Sequence, residues 1–235
     1  MNMINIFYLI YILLGCLVLY FSPLIISALQ KRRLRKLCQE KRCLVLTFDD
    51  GPGLGLTPRL LKLLKKLEVR ANFFVLCEKA ENNKDLIGLL GKMNHEVGYH
   101  SCYHLHAWKV GPFRLLNDLN KGLKISASFL TEPLFFRPPY GKLVLSSFLW
   151  SMKHHFKLAW WTLDSGDTYA DIPESIQDLV DKLILDGGGV VLLHDFDRTF
   201  DMKFREDYVL NAVEALVKAA RENNIKILTL STVYE

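Results

Sequence analysis

Two hydrophobic patterns divide the chain. Residues 4–29, INIFYLIYILLGCLVLYFSPLIISAL, hold no Asp, Glu, Lys or Arg. As one helix this run would reach about 39 Å, more than the roughly 30 Å of a bilayer's hydrocarbon. No basic residue precedes it, and it is longer than the apolar core of a cleaved signal peptide. The pattern therefore predicts a retained N-terminal transmembrane helix within residues 1–30. From residue 43 short apolar blocks take over: CLVLTF (43–48), RANFFVL (70–76), HEVGY (95–99), PLFF (133–136), FKLAWWTL (156–163), GGVVLLH (188–194) and IKILTL (225–230). Such blocks read as strands buried on both faces. Amphipathic stretches between or after them predict helices over 57–68, 84–93, 113–130, 143–153, 173–185 and 207–223, the first with Thr57 as N-cap and Pro58 in its first turn. Regular alternation of strand and helix implies an α/β fold, a parallel sheet or barrel of about seven strands. No linker or internal repeat interrupts residues 43–235, so they are expected to form one domain.

Charge is just as unevenly placed. Residues 31–42 carry seven basic residues against Glu40, a local charge of +6, which leaves −1 for residues 43–235 of a chain whose total is +5. The basic character belongs to a juxtamembrane segment suited to anionic headgroups, and it gives the domain no nucleic-acid footprint. Five cysteines, at 16, 38, 43, 77 and 102, make an odd set without paired spacing, so a disulfide framework is not expected.

Ionisable residues follow the strand blocks in one phase. Asp49-Asp50 follows LVLTF, His100 and His104 follow EVGY, Arg137-Pro-Pro-Tyr140-Gly follows LFF, Asp164-Ser-Gly-Asp167 follows AWWTL, and His194-Asp195 follows VVLL. In an α/β barrel the C-terminal strand ends share one face, where active sites are built. His100 and His104, four apart, would aim both imidazoles one way on a helical turn and hold one metal ion, with a carboxylate of the Asp pair as third ligand. Open positions on that ion would make it catalytic, polarising a carbonyl and acidifying water. The other Asp is then free to act as a base, Arg137 as its partner, and His194 as a proton donor.

TFDDGP, HSCYH, RPPYG, DSGD and VLLHD, in that order, resemble the five motifs of the NodB-homology polysaccharide deacetylases, carbohydrate esterase family 4. The resemblance covers roughly residues 43–232 and implies a distorted (β/α) barrel. It implies removal of N-acetyl groups from N-acetylglucosamine-type sugars such as peptidoglycan, with Zn²⁺ or another divalent metal such as Co²⁺. By resemblance Asp49 is the base, Asp50, His100 and His104 are the metal ligands, and Arg137 holds Asp49. The Tyr140 N–H contributes to oxyanion binding, Leu192 lines the acetyl pocket, and Asp167 orients the acid His194. The family's fourth motif commonly ends Asp-Trp, whereas Thr168 follows Asp167 here, which removes one aromatic wall of the sugar groove.

Three alternatives stay open beside this reading. An Asp-His-His set also suits non-haem iron oxygenases, a non-catalytic glycan-binding relative would share the fold, and a deacetylase or deformylase of a lipid-linked amino sugar would share the chemistry. The expected partners are an N-acetylated glycan or lipid-linked sugar and the membrane, not nucleic acid, with a monomeric chain. The side of the membrane is open: family members mostly work outside the cytoplasm, yet the basic residues all follow the apolar run and place the domain inside.

Overall fold

A computed structural model describes residues 3–198 and 202–235; the side chains of residues 3–6, 9, 13, 16, 18–20 and 202 also lie outside the description. The elements in order are α1 Met3–Lys41, β1 Cys43–Asp49, α2 Leu56–Lys66, β2 Asn72–Val75, α3 Cys77–Asn82, α4 Lys84–Lys92, β3 Glu96–Tyr99, α5 Pro112–Ser126 and β4 Phe135–Phe136. A 3-10 turn at Pro139–Gly141 then leads to α6 Leu145–Lys153, β5 Lys157–Leu158, β6 Leu163–Asp164, α7 Gln177–Asp186, β7 Gly189–His194, α8 Met202–Glu222, β8 Lys226–Ile227 and α9 Leu230–Tyr234. Helices α3 and α9 were not anticipated by the hydrophobic pattern.

All strand pairs are parallel, in the order β5-β4-β3-β2-β1-β7-β6, with β8 beside the start of β1. Strand β1 is buried along its whole length. Its side chains alternate between two cores, Leu44, Leu46 and Phe48 in one and Cys43 and Val45 in the other, as the two-residue period of a strand requires. Asp49 is level with Phe74 of β2 and with His194 of β7, so the central strands deliver their carboxyl ends to one place.

The sheet is a half-barrel rather than a ring of ladders. Its edges, β5 and β6, are consecutive in sequence, and residues 159–162 run between them. Ala159 donates its N–H to the Phe136 carbonyl (2.8 Å) and Thr162 donates to Val190 (2.9 Å). The block expected as one strand over 156–163 is therefore two short strands and a bridging segment that bonds to both edges.

Residues 31–41 complete α1 and pack on the domain, with Leu34 and Cys38 buried. One expectation needs correction. Thr57 is not the N-cap of α2. Gly55 occupies that position without a side-chain cap, and the buried Thr57 hydroxyl accepts the Gly53 N–H (2.8 Å) and donates to Asp195 Oδ2 (2.7 Å). The cap comes from across the fold, where Asp197 accepts the N–H groups of Leu54 (2.6 Å) and Gly55 (2.8 Å).

Among the described residues no helix is long and apolar enough to cross a membrane, so the transmembrane expectation for residues 4–29 is not supported by them. That expectation falls partly on side chains outside the description.

Candidate active site

The site begins where β1 ends. Consecutive strand residues point to opposite faces, but Asp50 leaves the strand in the left-handed region, φ 68°, and both carboxylates reach one centre. His100 Nε2 lies 3.8 Å from Asp49 Oδ2 and 3.2 Å from Asp50 Oδ1, and His104 Nε2 lies 3.1 Å from the same Asp50 oxygen. The ligand atoms of Asp50, His100 and His104 all fall within 4.8 Å of one another.

The donor set suits a divalent cation. His100 Nδ1 is 2.7 Å from the Arg137 carbonyl; a carbonyl only accepts, so Nδ1 carries the proton and the Nε2 lone pair faces the centre. Burial first, and then the neighbouring His100, push His104 down to about 4, which keeps it a neutral ligand. Asp50 Oδ1 is buried without a hydrogen-bond partner, which a coordinated ion would supply.

The two imidazoles do not meet on a helical turn, as their spacing suggested. Residues 100–104 form a loop with Ser101 at φ 73° and His104 at φ 54°. The Ser101 hydroxyl accepts the His104 N–H (3.1 Å), while Asp118 accepts from Tyr103 (3.0 Å). Cys102 packs in the core instead of joining the ligands.

Asp49 has a different partner. Arg137, with none of its surface exposed, donates Nη1–H groups to Asp49 Oδ1 (2.7 Å) and the Thr47 hydroxyl (2.8 Å), and an Nη2–H to the Trp160 carbonyl (3.2 Å). The guanidinium also lies 4.1 Å from the Phe74 ring centroid. Arg137 is thus held between β1, the 159–162 segment and the Phe74 ring, and it pairs directly with the buried Asp49 carboxylate.

At the end of β7, His194 Nδ1 is 2.9 Å from Asp167 Oδ1, and the His194 N–H donates to Asp167 Oδ2 (3.0 Å). Burial alone would lower this imidazole's pKa. The Asp167 charge and hydrogen bond, followed by Asp49 and Asp50, outweigh burial and raise it to about 9. Asp167 is itself buried, yet His194 and Arg198 hold its pKa below the usual carboxylate value.

Tyr140 sits at φ 56° in the 3-10 turn, its ring 4.3 Å from that of His104. Its N–H has no hydrogen-bond partner among the described residues. Leu192 is buried in β7 opposite Thr47 and Asp164. Asp164 accepts the Gly166 N–H (3.0 Å) and so serves the turn rather than the centre.

A family model for polysaccharide deacetylases matches residues 36–171. The chain belongs to the polysaccharide deacetylase family. A relative described as a peptidoglycan-N-acetylglucosamine deacetylase of Bacillus cereus is 30% identical over 157 residues, covering 66% of this chain and 73% of the relative. The chain spans only 33% of another, from Listeria monocytogenes. A solved peptidoglycan N-acetylglucosamine deacetylase, in complex with a naphthalenyl N-oxidanyl-benzamide, superposes with TM-score 0.71 at 26% identity, over 83% of this chain and 89% of that one. A family 4 pseudoenzyme from Bacillus anthracis reaches 0.70 at 20% identity, over 84% of this chain and 66% of its own, so the fold by itself does not separate active from inactive polysaccharide deacetylases.

The structure adds site residues to this polysaccharide deacetylase that the motif reading passed over. Arg198, buried, donates to the Asp167 carbonyl (2.6 Å) and to Asp167 Oδ2 (2.9 Å). Lys79 donates to the Asp50 carbonyl (2.7 Å). Asp195 is raised to about 7, chiefly by burial, against the opposing pull of Thr57 and Lys79. A signal for Arg198 was present in HDFDR (194–198), where the arginine follows the acid by four residues.

Proposed function

We propose that this protein is a metal-dependent hydrolase that removes N-acetyl groups from N-acetylglucosamine-type glycans, peptidoglycan foremost. The observation that carries the reading is the division of the ionisable groups into three sets: Asp50-His100-His104 around one centre, Asp49 on Arg137, and His194 on Asp167.

A divalent cation held by Asp50, His100 and His104 would polarise the acetamido carbonyl and acidify the attacking water. Asp49, paired with Arg137, accepts the proton that water gives up as its oxygen bonds to the carbonyl carbon. The Tyr140 N–H donates to the developing oxyanion, a contribution typically worth about 3 kcal/mol. His194 is protonated near neutral pH and gives its proton to the nitrogen as the C–N bond breaks. The products are acetate and a free amino sugar. Leu192 walls the acetyl pocket.

Chelation should abolish acetate release from N-acetylated glycan, and Zn²⁺ or Co²⁺ should restore it. Full activity in metal-free protein overturns the reading.

A second reading, a deacylase of a lipid-linked amino sugar, is favoured by one observation. Side chains along α1, among them Tyr8, Tyr11, Ile12, Leu14, Leu17 and Leu29, are exposed, although water disfavours such an array. We propose that residues 4–29 lie in a membrane as a single-pass anchor, with the basic residues after them placing the domain on the cytoplasmic side. An impermeant thiol reagent applied to intact cells that carry Lys226→Cys tests this placement. Labelling without lysis puts the domain outside.

A further inference from the structure

Helix α1 does more than lead into the domain, because it puts a cation beside the site. The Trp160 Nε1–H donates to Gln30 Oε1 (2.7 Å), and the next residue, Lys31, places Nζ 4.7 Å from the Trp161 ring centroid and 5.1 Å from that of Trp160. Trp161 borders the site: its ring is 5.6 Å from the Arg137 guanidinium, and a Cβ added at Gly141 would lie 2.6 Å from it.

A second cation reaches the rim along a file of rings. The His104 ring is 4.3 Å from Tyr140, Tyr140 is 4.8 Å from His106, and His106 is 6.2 Å from Trp108. Lys142 Nζ stands 4.3 Å from the Trp108 centroid.

Neither Lys31 nor Lys142 has a carboxylate within 4.0 Å among the described residues. The pKa of Lys31 is lowered first by burial and then by Lys142 and Arg137, with Asp164 opposing. Two like charges that repel, rest on aromatic faces and keep ammonium donors free are arranged for an anion that is not part of the fold. A neutral N-acetylglucosamine polymer offers them hydrogen-bond acceptors but no opposite charge.

We propose that Lys31 and Lys142 form a subsite for an acidic substituent of the substrate sugar, a carboxylate or a phosphate ester, at the rim of the acetamido site. The subsite rests on the deacetylase reading for its substrate, and it makes α1 a specificity element.

The test uses the full chain in detergent, with direct titration by N-acetylglucosamine 1-phosphate, N-acetylmuramic acid and neutral N-acetylglucosamine. At least one acidic sugar should bind about ten-fold tighter than the neutral one, and added salt should reduce the difference. Lys31→Ala combined with Lys142→Ala should bring the ratio close to one, and Lys31→Arg should retain most of it. Equal binding by the wild type, or a ratio that survives in the double variant, overturns the proposal. Preference for phosphate alone points to lipid-linked glycosyl phosphates, and preference for the muramic acid points to peptidoglycan. Acetate release from N-acetylated glycan is followed in the same preparations. Its absence with the binding ratio intact removes the deacetylase reading and leaves the subsite standing; acetate release without any ratio does the reverse.

Discussion

Asp49 and Asp50 share a peptide bond but not a partner, and their variants should separate accordingly. Asp50→Asn removes the anionic ligand and should lose bound metal in elemental analysis. Asp49→Asn should keep the metal and lose turnover by about 10²–10⁴, the usual scale of general-base catalysis. Retention of both metal and rate in both variants contradicts the assignment. The acid side makes a second prediction, in pH. His194 must be protonated to act, so the rate falls as pH rises through its pKa, which is raised to about 9; a bound cation, being positive, lowers that value. Asp167→Asn removes the largest raising influence and should move the alkaline limb to lower pH while reducing the rate. Arg198→Gln removes a cation that competes for Asp167 and should move the limb the other way. Arg198→Lys should restore it. An Arg198→Gln profile that loses height without moving would mean that Arg198 only supports the fold.

Elements differ in how plainly the chain announces them. Strands β1 and β7 are long, apolar and buried on both faces, and their blocks were legible to within a residue or two. Strands β4, β5 and β6 are two residues each, too short for any period to register, so the bridging segment 159–162 was invisible. The phase of the polar clusters after each block was legible because strand ends must point somewhere common in a parallel sheet. The loop that brings His100 and His104 together was not, since its left-handed residues follow from contacts with Ser101 and Asp118 rather than from local propensity. The start of α2 was misread for a similar reason, as Asp197 caps it from 141 to 143 positions away. That misreading is testable. Thr57→Val deletes two buried hydrogen bonds at nearly constant shape and should cost roughly 2–3 kcal/mol. Asp197→Ala deletes an exposed cap and should cost about 1 kcal/mol. Urea midpoints with unchanged m-values measure both, and an Asp197→Ala midpoint equal to that of the wild type would contradict the cap from across the fold.

The whole molecule is tied to the last turns of α1. Deleting residues 1–25 spares Leu34, Cys38 and the Gln30–Trp160 bond, and should leave thermal unfolding within a few degrees of the full chain. Deleting residues 1–41 uncovers the core beneath Leu34 and Cys38. Two buried apolar side chains are worth roughly 3–5 kcal/mol, so the melting temperature should drop by on the order of 10 °C. Equal melting of the two truncations would show that α1 contributes nothing to the domain. The parallel order of the sheet also has a consequence in time. Strand β1 lies at the centre, but β7 on one flank starts 140 positions after β1 ends, and β8 comes later still. At the usual pace of a ribosome, β7 emerges roughly 7–30 s after β1. For that interval a largely apolar strand presents an open edge to other nascent chains nearby, and Asp49 waits without the histidine it will work with. Synthesis order thus runs against assembly order, and the newborn chain depends on being shielded until its C-terminal portion has cleared the exit tunnel.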